Sequence, residues 1–258
     1  VTGLSGRHEE RCYSASKDLV IPGSLTHSTV AKSPFWLPAA EVAAIDTNRS
    51  TTLFFIGALC WKLDKKARTM DELKSKCDSS FNVAGFLSRY SFGLRYQIFR
   101  LFSEHQGFKL FATDYPPSMP QGGVKVDVNA EILQSRYCLC PSGTGWGMRM
   151  YHAIILGCVP VITQDDGVHP RVVQAFEPTL AWERFSVIVP HAAIGNLSAM
   201  LDATDLAAKQ AELRRVWNRM VWRGALRPPL RDRLPAPDAF DATIDALGEL
   251  LERRRNSV

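Results

Sequence analysis

The 258-residue sequence predicts an α/β protein in which a parallel β-sheet is covered by helices on both faces. Two observations predict this class. Short apolar runs of strand length alternate along the chain with stretches whose apolar residues recur at helical spacing. Most of the strand-like runs are apolar throughout, as is typical of strands buried on both sides of a parallel sheet. A composition of 46% hydrophobic and 22% charged residues suits one large folded domain or two small ones.

Residues 1–50 show no clear periodicity and are punctuated by proline and small polar residues. Within them, only KDLVIPG at 17–23 is typical of a buried strand that ends in a turn. The character changes at Thr51, where TTLFFIGAL predicts the first strand of the sheet. We therefore expect 1–50 to be the edge of another unit or a linker.

Strands and helices then alternate to the end of the chain. Further strands are predicted for FKLFAT, RYCLCPS, VPVIT and FSVIVP, at 108–113, 136–142, 159–163 and 185–190. Helices are predicted at 94–105, 131–135, 147–157, 208–222 and 239–255. A proline-rich link, RPPLRDRLPAP, precedes the last helix. This alternation predicts a Rossmann-like sheet, in which ligands bind at the carboxyl ends of the strands.

The net charge and the hydropathy of the chain exclude few classes of protein. The net charge of +5 is mildly basic, which fits a phosphate-bearing ligand without requiring one. Nothing in the sequence points to a nucleic-acid partner. No apolar run approaches the length of a membrane span, and no signal peptide is visible. Two glycosylation sequons begin at Asn48 and Asn196, and they count only in a lumenal protein.

The six cysteines, at 12, 60, 77, 138, 140 and 158, form neither a CxxC pair nor a zinc spacing. Cys138 and Cys140 are two apart in a predicted strand, so they share one face and are poorly placed to bond each other. We expect these two and Cys158 to be buried free thiols. A Cys60–Cys77 bond stays open, since sequence alone does not fix connectivity.

The stretch LCPSGTGWGMRMYHAIILGCVPVIT carries the strongest functional signal, a glycine-rich loop between a strand and a helix. It lacks the lysine of a Walker loop. It matches the first two glycines of a dinucleotide fingerprint, Gly143 and Gly145, but has Met148 at the third position. Asp165 and Asp166 end the following strand at about the distance of a ribose-binding carboxylate. The dinucleotide fingerprint is therefore incomplete, and a dinucleotide site is an alternative that it supports only in part.

A phosphate-binding loop without a redox cofactor fits these residues better. Glycines let backbone N–H groups approach an anion, and the following helix adds the positive end of its dipole. Arg149 falls in the first helical turn and can fork onto phosphate oxygens. His152 shares the face of Arg149 and could reach a sugar hydroxyl. The alternative without a ligand is an ordinary loop, in which the arginine lies on the surface and the histidine has its hydrogen bonds within the protein.

At this point the chain resembles the exostosin-type glycosyltransferases, a family that includes heparan sulfate polymerases of animals and cell-wall glycosyltransferases of plants and algae. The shared blocks are Tyr137–Pro141, Arg149, Gly157–Val161, Asp165–Asp166, and Trp182 with Phe185–Val187. The resemblance extends from about Lys17 to Trp222 and is weakest at 58–105.

The resemblance implies the C-terminal half of a GT-B architecture, in which two Rossmann-like domains face each other and the C-terminal one holds a nucleotide sugar. Residues 51–225 would form that domain, 1–50 a remnant of the acceptor-side domain, and 226–258 a link and final helix. The implied donor-binding residues are Ser142, Gly143, Thr144, Gly145, Arg149, His152, Asp165 and Asp166.

The implied reaction is an inverting transfer of sugar from a nucleoside diphosphate sugar, UDP-linked by preference, to a glycan acceptor. We expect neither a metal ion nor another cofactor, because Arg149 and the helix dipole can stabilise the departing diphosphate. The catalytic base stays unassigned, since in such enzymes it usually comes from the N-terminal side. The resemblance also implies a Golgi lumenal domain whose membrane anchor is absent from this chain.

One departure keeps other functions open. The position of His152 is commonly acidic in the family and is thought to bind the ribose hydroxyls. A neutral imidazole accepts one hydrogen bond there, not the two that a carboxylate accepts. A non-catalytic nucleotide-sugar-binding module or pseudoenzyme is therefore the main alternative, and an NAD(P)-binding oxidoreductase is a weaker one.

Overall fold

The computed structural model describes residues 14, 17–60, 66–80, 90–143, 147–165, 171–177 and 179–256. Its sheet has five strands, all parallel, in the order β2-β1-β3-β4-β5. The strands are β1 (Thr51–Gly57), β2 (Phe108–Ala112), β3 (Ser135–Pro141), β4 (Val159–Thr163) and β5 (Val187–Ile188). The predicted α/β, Rossmann-like fold is confirmed, and each of the five strands lies within its predicted stretch or one residue beyond it.

Ten α-helices lie in the described ranges: α1 (His27–Val30), α2 (Ala39–Thr47), α3 (Met70–Ser80), α4 (Leu94–Phe102), α5 (Val128–Leu133), α6 (Met148–Ile155), α7 (Leu197–Asp202), α8 (Leu206–Val216), α9 (Leu230–Arg233) and α10 (Ala239–Arg255). The five predicted helices correspond to α4, α5, α6, α8 and α10. The helix predicted to run to Trp222 ends as an α-helix at Val216 and continues as a 3-10 turn, Trp217–Met220. The unpredicted helices are short, apart from the alanine-rich α2 and the polar α3.

The prediction of a strand at 17–23 is wrong. This segment has no partner strand in the described sheet. Its backbone is held instead by single contacts: the Phe176 N–H donates to Val20 at 2.8 Å, and the Trp222 indole donates to Pro22 at 3.0 Å. The apolar run indicated burial correctly for Val20, but burial here comes from packing on helices and loops rather than from a ladder.

Two layers of helices cover the sheet. One apolar cluster joins α5, α6, α8, the turn Trp217–Met220 and α10 to one face. The other joins α3, α4 and α7 to the opposite face. Val30, Leu226 and Leu234 belong to the first cluster, so chain from both ends packs there. The division at residues 50 and 225 into a remnant, a donor domain and a final helix stays a prediction.

A buried arginine ties the chain together at the amino edge of the sheet. Arg49, only 1% exposed, forms an ion pair with Asp46 at 2.9 Å. It also donates to four backbone carbonyls at 2.9–3.1 Å, those of Ile132, Leu133, Ser135 and Leu156. These carbonyls lead into β3 and β4, so one side chain fixes where the neighbouring strands begin. We refer to Arg49 and these partners as the Arg49 network.

The prediction that Cys138 and Cys158 are free is wrong, because they form a disulfide with a Cα–Cα distance of 5.8 Å. The register pairs Cys138 with Pro160, so Cys158, two positions before Pro160, lies diagonally across from Cys138. The shared-face argument excluded only a Cys138–Cys140 bond. Cys140 is free and buried, as expected, and burial raises the pKa of its thiol to about 12.

The pairing left open for Cys60 and Cys77 is present, with a Cα–Cα distance of 5.1 Å. It joins the loop after β1 to α3.

Both sequon asparagines, Asn48 and Asn196, are exposed at helix ends. No helix in the described part of the chain is long and apolar enough to span a bilayer.

Candidate anion-binding site at the switch point

The strand order places a crevice between β1 and β3. The chain moves from β1 outward to β2, then returns past β1 to β3 and continues in the other direction. Loops that leave β1 and β3 therefore diverge to opposite faces of the sheet at their carboxyl ends. This position is where ligands bind in open α/β sheets, and it is where the loop after Pro141 lies.

Arg149 reaches this crevice from α6. It is the second residue of the helix and follows Gly147, whose left-handed backbone (φ 64°) suits glycine. Its guanidinium lies over the Phe55 ring, 4.9 Å from the centroid. Among the described residues it makes no hydrogen bond or ion pair. Burial lowers its pKa, so the charge is held in a poorly solvated position.

Arg95 reaches the same crevice from α4, and sequence reasoning missed it. Its Nε donates to Ser142 O at 3.1 Å, and its Nη1 donates to Ala58 O at 3.0 Å and to the Tyr90 hydroxyl at 2.7 Å. The pKa of Arg95 is lowered to about 10, chiefly by burial and also by the charge of Arg149, while Tyr90 and the carboxylate of Asp114 act in the opposite direction. A signal was present in the sequence, since a charge interrupts the apolar first turn of the predicted helix.

The two arginines meet over the end of β1. A Cβ on Gly57 would lie 3.1 Å from Arg149 Nη2 and 3.6 Å from Arg95 Nη1, so both guanidiniums flank this glycine. We refer to Arg95 and Arg149 as the arginine pair. Neither has a carboxylate ion-pair partner within the described ranges.

Of the loop residues predicted to bind a donor, Ser142 and Gly143 lie at the arginine pair. The buried Ser142 donates its N–H to Thr163 O at 3.3 Å, and its hydroxyl lies 3.4 Å from that of Ser91. A Cβ on Gly143 would come within 2.7 Å of Arg95 Nη2, so the glycine leaves room for that side chain. Thr144 and Gly145 lie outside the described residues.

The rim of the crevice is strained and tightly tied. Ser91 and Phe92 both have positive φ, 54° and 55°, which is uncommon away from glycine and tends to occur at functional sites. On the other side, the buried carboxylate of Asp114 accepts the N–H groups of Leu59 and Cys60 at 2.9–3.1 Å. These contacts fix the loops after β1 and β2, and sequence reasoning missed them.

His152 lies on α6 behind Arg149 and is already engaged. Its Nε2 is 2.6 Å from Asn129 Oδ1 on α5, so Nε2 carries the proton and donates. Burial lowers its pKa to about 4, with the charges of Arg149 and Lys32 adding to the effect. The imidazole is therefore neutral at pH 7 and leaves one nitrogen, Nδ1, as an acceptor.

Asp165 and Asp166 were predicted to bind the donor or to cap a loop. The carboxylate of Asp165 accepts the His191 N–H, both oxygens at 3.0 Å, at the start of the turn His191–Asn196. Of the two predicted roles, the contact of Asp165 with His191 is that of a loop cap. Asp166 lies outside the described residues. No group of three or more histidine, cysteine or acidic side chains that could hold a metal occurs in the described ranges.

The helix α6, which carries Arg149, also differs from a dinucleotide-binding helix in its packing. In the fingerprint the third glycine lets helix and strand approach closely. Here the side chain of Met148 turns toward Gly23, where it fills the space that a Cβ would need.

The fold and the crevice define a Rossmann-like α/β protein with a cationic site at its switch point. Comparison with known proteins takes this further. The chain belongs to the exostosin GT47 family: the model of the exostosin GT47 domain matches residues 4–204.

Three relatives illustrate the similarity. A probable glucuronosyltransferase of Oryza sativa subsp. japonica is 28% identical over 65% of this chain and 36% of its own length. A probable glucuronoxylan glucuronosyltransferase of Arabidopsis thaliana is 28% identical over 76% of this chain and 34% of its own. A probable beta-1,4-xylosyltransferase of the same plant is 27% identical over 63% and 35%. The chain thus spans about a third of the curated relatives it matches.

Proposed function

We propose that this chain is the donor-binding part of a glycosyltransferase that transfers a sugar from a nucleoside diphosphate sugar to a glycan acceptor. Membership of the exostosin GT47 family and the names of the relatives support glycosyl transfer. We propose uridine diphosphate as the carrier, inversion at the sugar, and a GT-B architecture in which this sheet faces a second domain.

One observation carries the proposal: the guanidinium of the half-buried Arg149 lies on the Phe55 ring and has no hydrogen-bond or ion-pair partner in the described part of the chain. Removing an arginine from water without such a partner is costly, so the site is suited to an anion. A planar guanidinium matches the oxygens of a phosphate with two parallel hydrogen bonds. The position at the switch point is where nucleotides bind in this class of sheet.

The residues present suggest how the transfer is assisted. Negative charge develops on the diphosphate as its bond to the sugar breaks, and Arg149 is placed to stabilise that charge. The Phe55 ring covers one side of the guanidinium and shields it in part from water, which strengthens the interaction. We propose that this stabilisation does the work of a metal ion, and that the base acting on the acceptor hydroxyl comes from the facing domain.

His152 favours a second candidate, a nucleotide-sugar-binding module without catalysis. Its Nε2 is occupied by Asn129, and only Nδ1 can accept a hydroxyl. One hydrogen bond to a ribose would hold the donor less firmly than a carboxylate would. Donor binding without sugar transfer by the full-length protein would establish this candidate.

We also propose a Golgi lumenal location. Disulfides persist in oxidising compartments, and this chain has Cys60–Cys77 and Cys138–Cys158. Asn48 and Asn196 are exposed and could carry glycans there. A glycosidase-sensitive mass shift after expression in a secretory host would support the location, and a cytosolic native protein would contradict it.

The test of the donor site is calorimetry with uridine diphosphate on the wild type and Arg149→Ala. Loss of one charged hydrogen-bonding group should weaken binding by about 1.5–3 kcal/mol. Arg100→Ala is the matched control, because Arg100 is an exposed arginine on α4. Equal affinities of wild type and Arg149→Ala would remove Arg149 from the site, and no binding by the wild type would overturn the proposed carrier.

A further inference from the structure

The two members of the arginine pair come from the same local sequence pattern. Phe92-Gly93-Leu94-Arg95 and Trp146-Gly147-Met148-Arg149 both read aromatic, glycine, aliphatic, arginine. In both, the glycine has a left-handed backbone, φ 74° and 64°, and the arginine is the second residue of the helix that follows. The pattern therefore sets the same starting geometry for α4 and α6.

These helices lie on opposite faces of the sheet, so the repeated pattern brings two cations to one point from two directions. Both guanidiniums stack on Phe55, with Cζ-to-centroid distances of 4.9 Å for Arg149 and 5.7 Å for Arg95. The charge of Arg149 also lowers the pKa of Arg95. Two like charges held together, with no carboxylate in ion-pair contact among the described residues and Asp114 acting on Arg95 only from further away, indicate a ligand that carries more than one negative charge.

Arg95 is more than a tie between loops. Its Nε and Nη1 are occupied by Ser142, Ala58 and Tyr90. Its Nη2 donates to none of the described residues and passes beside Gly143, where a Cβ would lie 2.7 Å away. One end of the guanidinium thus holds the loops in place, and the other end lies against the glycine-rich loop.

We propose that Arg95 is a second anion-binding residue, and that the arginine pair recognises a diphosphate in preference to a single phosphate group. This deepens the proposed function and rests on it for the biological ligand. Each arginine would contact a different phosphate, Arg149 through its unpartnered guanidinium and Arg95 through Nη2. A lone phosphate could engage only one of them fully, so the pair would select for two linked phosphates.

The test uses inorganic pyrophosphate and orthophosphate, which report on the pair without base or sugar contacts. Titrations followed by phosphorus NMR would compare the wild type with Arg95→Gln, Tyr90→Phe and Arg100→Gln. We expect the wild type to bind pyrophosphate at least about tenfold more tightly than orthophosphate, the size expected for one charged hydrogen bond. Arg95→Gln should bring this ratio close to one, whereas Tyr90→Phe and Arg100→Gln should preserve it.

Because Arg95→Gln could loosen the loops, Gly143→Ala is a second variant. Its methyl group would occupy the space of Nη2 and, because the guanidinium is rigid and planar, would tilt the whole group, so the preference for pyrophosphate should fall while the overall fold, followed by melting temperature, is kept. A wild type without preference for pyrophosphate, or a preference that survives in both variants, would overturn the proposal.

Uridine diphosphate separates this proposal from the proposed function. If the wild type and Arg95→Gln bind uridine diphosphate equally well, the role of Arg95 fails and the donor site stands. If the wild type shows an Arg95-dependent preference for pyrophosphate but does not bind uridine diphosphate, the arginine pair stands and the proposed carrier fails.

Discussion

The two edges of the sheet each hold an arginine, fully buried at one edge and half-buried at the other, and their surroundings are opposite. At the amino edge, Arg49 has an ion-pair partner and four carbonyl acceptors. At the carboxyl edge, Arg149 rests on an aromatic ring and has no polar partner among the described residues. Burial lowers the pKa of both side chains. We therefore assign Arg49 to the fold, and the lack of polar partners supports the proposal that Arg149 binds a ligand.

The largest expected effect is on stability at the amino edge. Arg49→Met would leave Asp46 and several carbonyls buried without their donor, so the free energy of unfolding should fall by about 3 kcal/mol or more. Arg149→Met should change it by less than about 1 kcal/mol, since no polar partner is abandoned. Urea denaturation of both variants checks this. Equal losses of unfolding free energy in the two variants would contradict the different roles assigned to the two edges.

A pair of glycines sharpens the same comparison. Gly157 has φ 75°, and a Cβ there would lie 2.6 Å from Arg49 Nη2, so Gly157→Ala should cost about 1–3 kcal/mol of stability. A Cβ on Gly57 would lie 3.1 Å from Arg149 Nη2. Gly57→Ala should therefore weaken uridine diphosphate binding severalfold with a stability loss below about 1 kcal/mol. Urea denaturation measures the stability of both variants, and calorimetry measures their binding of uridine diphosphate. A large stability loss in Gly57→Ala together with weaker binding only in Gly157→Ala would contradict the roles of the two edges.

The smallest expected effect concerns His152. Its pKa is about 4 in the folded chain, below the usual value of 6.5, so the unfolded chain binds the proton more readily between these values. The contribution of neutral His152 is therefore complete at pH 7 and is lost as the pH falls from about 6.5 toward 4. The wild type should lose about 1–2 kcal/mol more than His152→Gln between pH 7 and pH 5. Urea unfolding at both pH values measures this, and identical losses would show that His152 is not the group responsible.

The fold could be predicted because its signals are local. Each strand of the sheet is a short apolar run, and each long helix has its own apolar spacing, so neighbouring residues suffice to place them. Arg149 could be predicted for a similar reason, since the glycine-rich loop and the helix that follows are continuous in sequence. The strand expected at 17–23 shows the limit: apolar residues indicate burial but do not say what buries them.

The missed features depend on contacts between distant parts of the chain. The carbonyls that hold Arg49 lie 83–107 positions further along, and an arginine next to an exposed asparagine is typical of a surface. Arg95 becomes part of the site only because α4 crosses to the switch point. The Cys138–Cys158 bond depends on which strands are neighbours and in what register. None of these is encoded within a short stretch of sequence.

The Cys138–Cys158 bond has a consequence for the segment that carries Arg149. With a sequence separation of 20 residues, it closes a covalent ring that contains the end of β3, the glycine-rich loop and the whole of α6. Such a ring removes about 3 kcal/mol of chain entropy from the unfolded state in the loop-closure description. A protease cut inside the ring would leave both fragments attached until a reductant was added. The glycine-rich loop is thus covalently tethered, on both sides, to the adjacent strands β3 and β4 whether or not a ligand is bound.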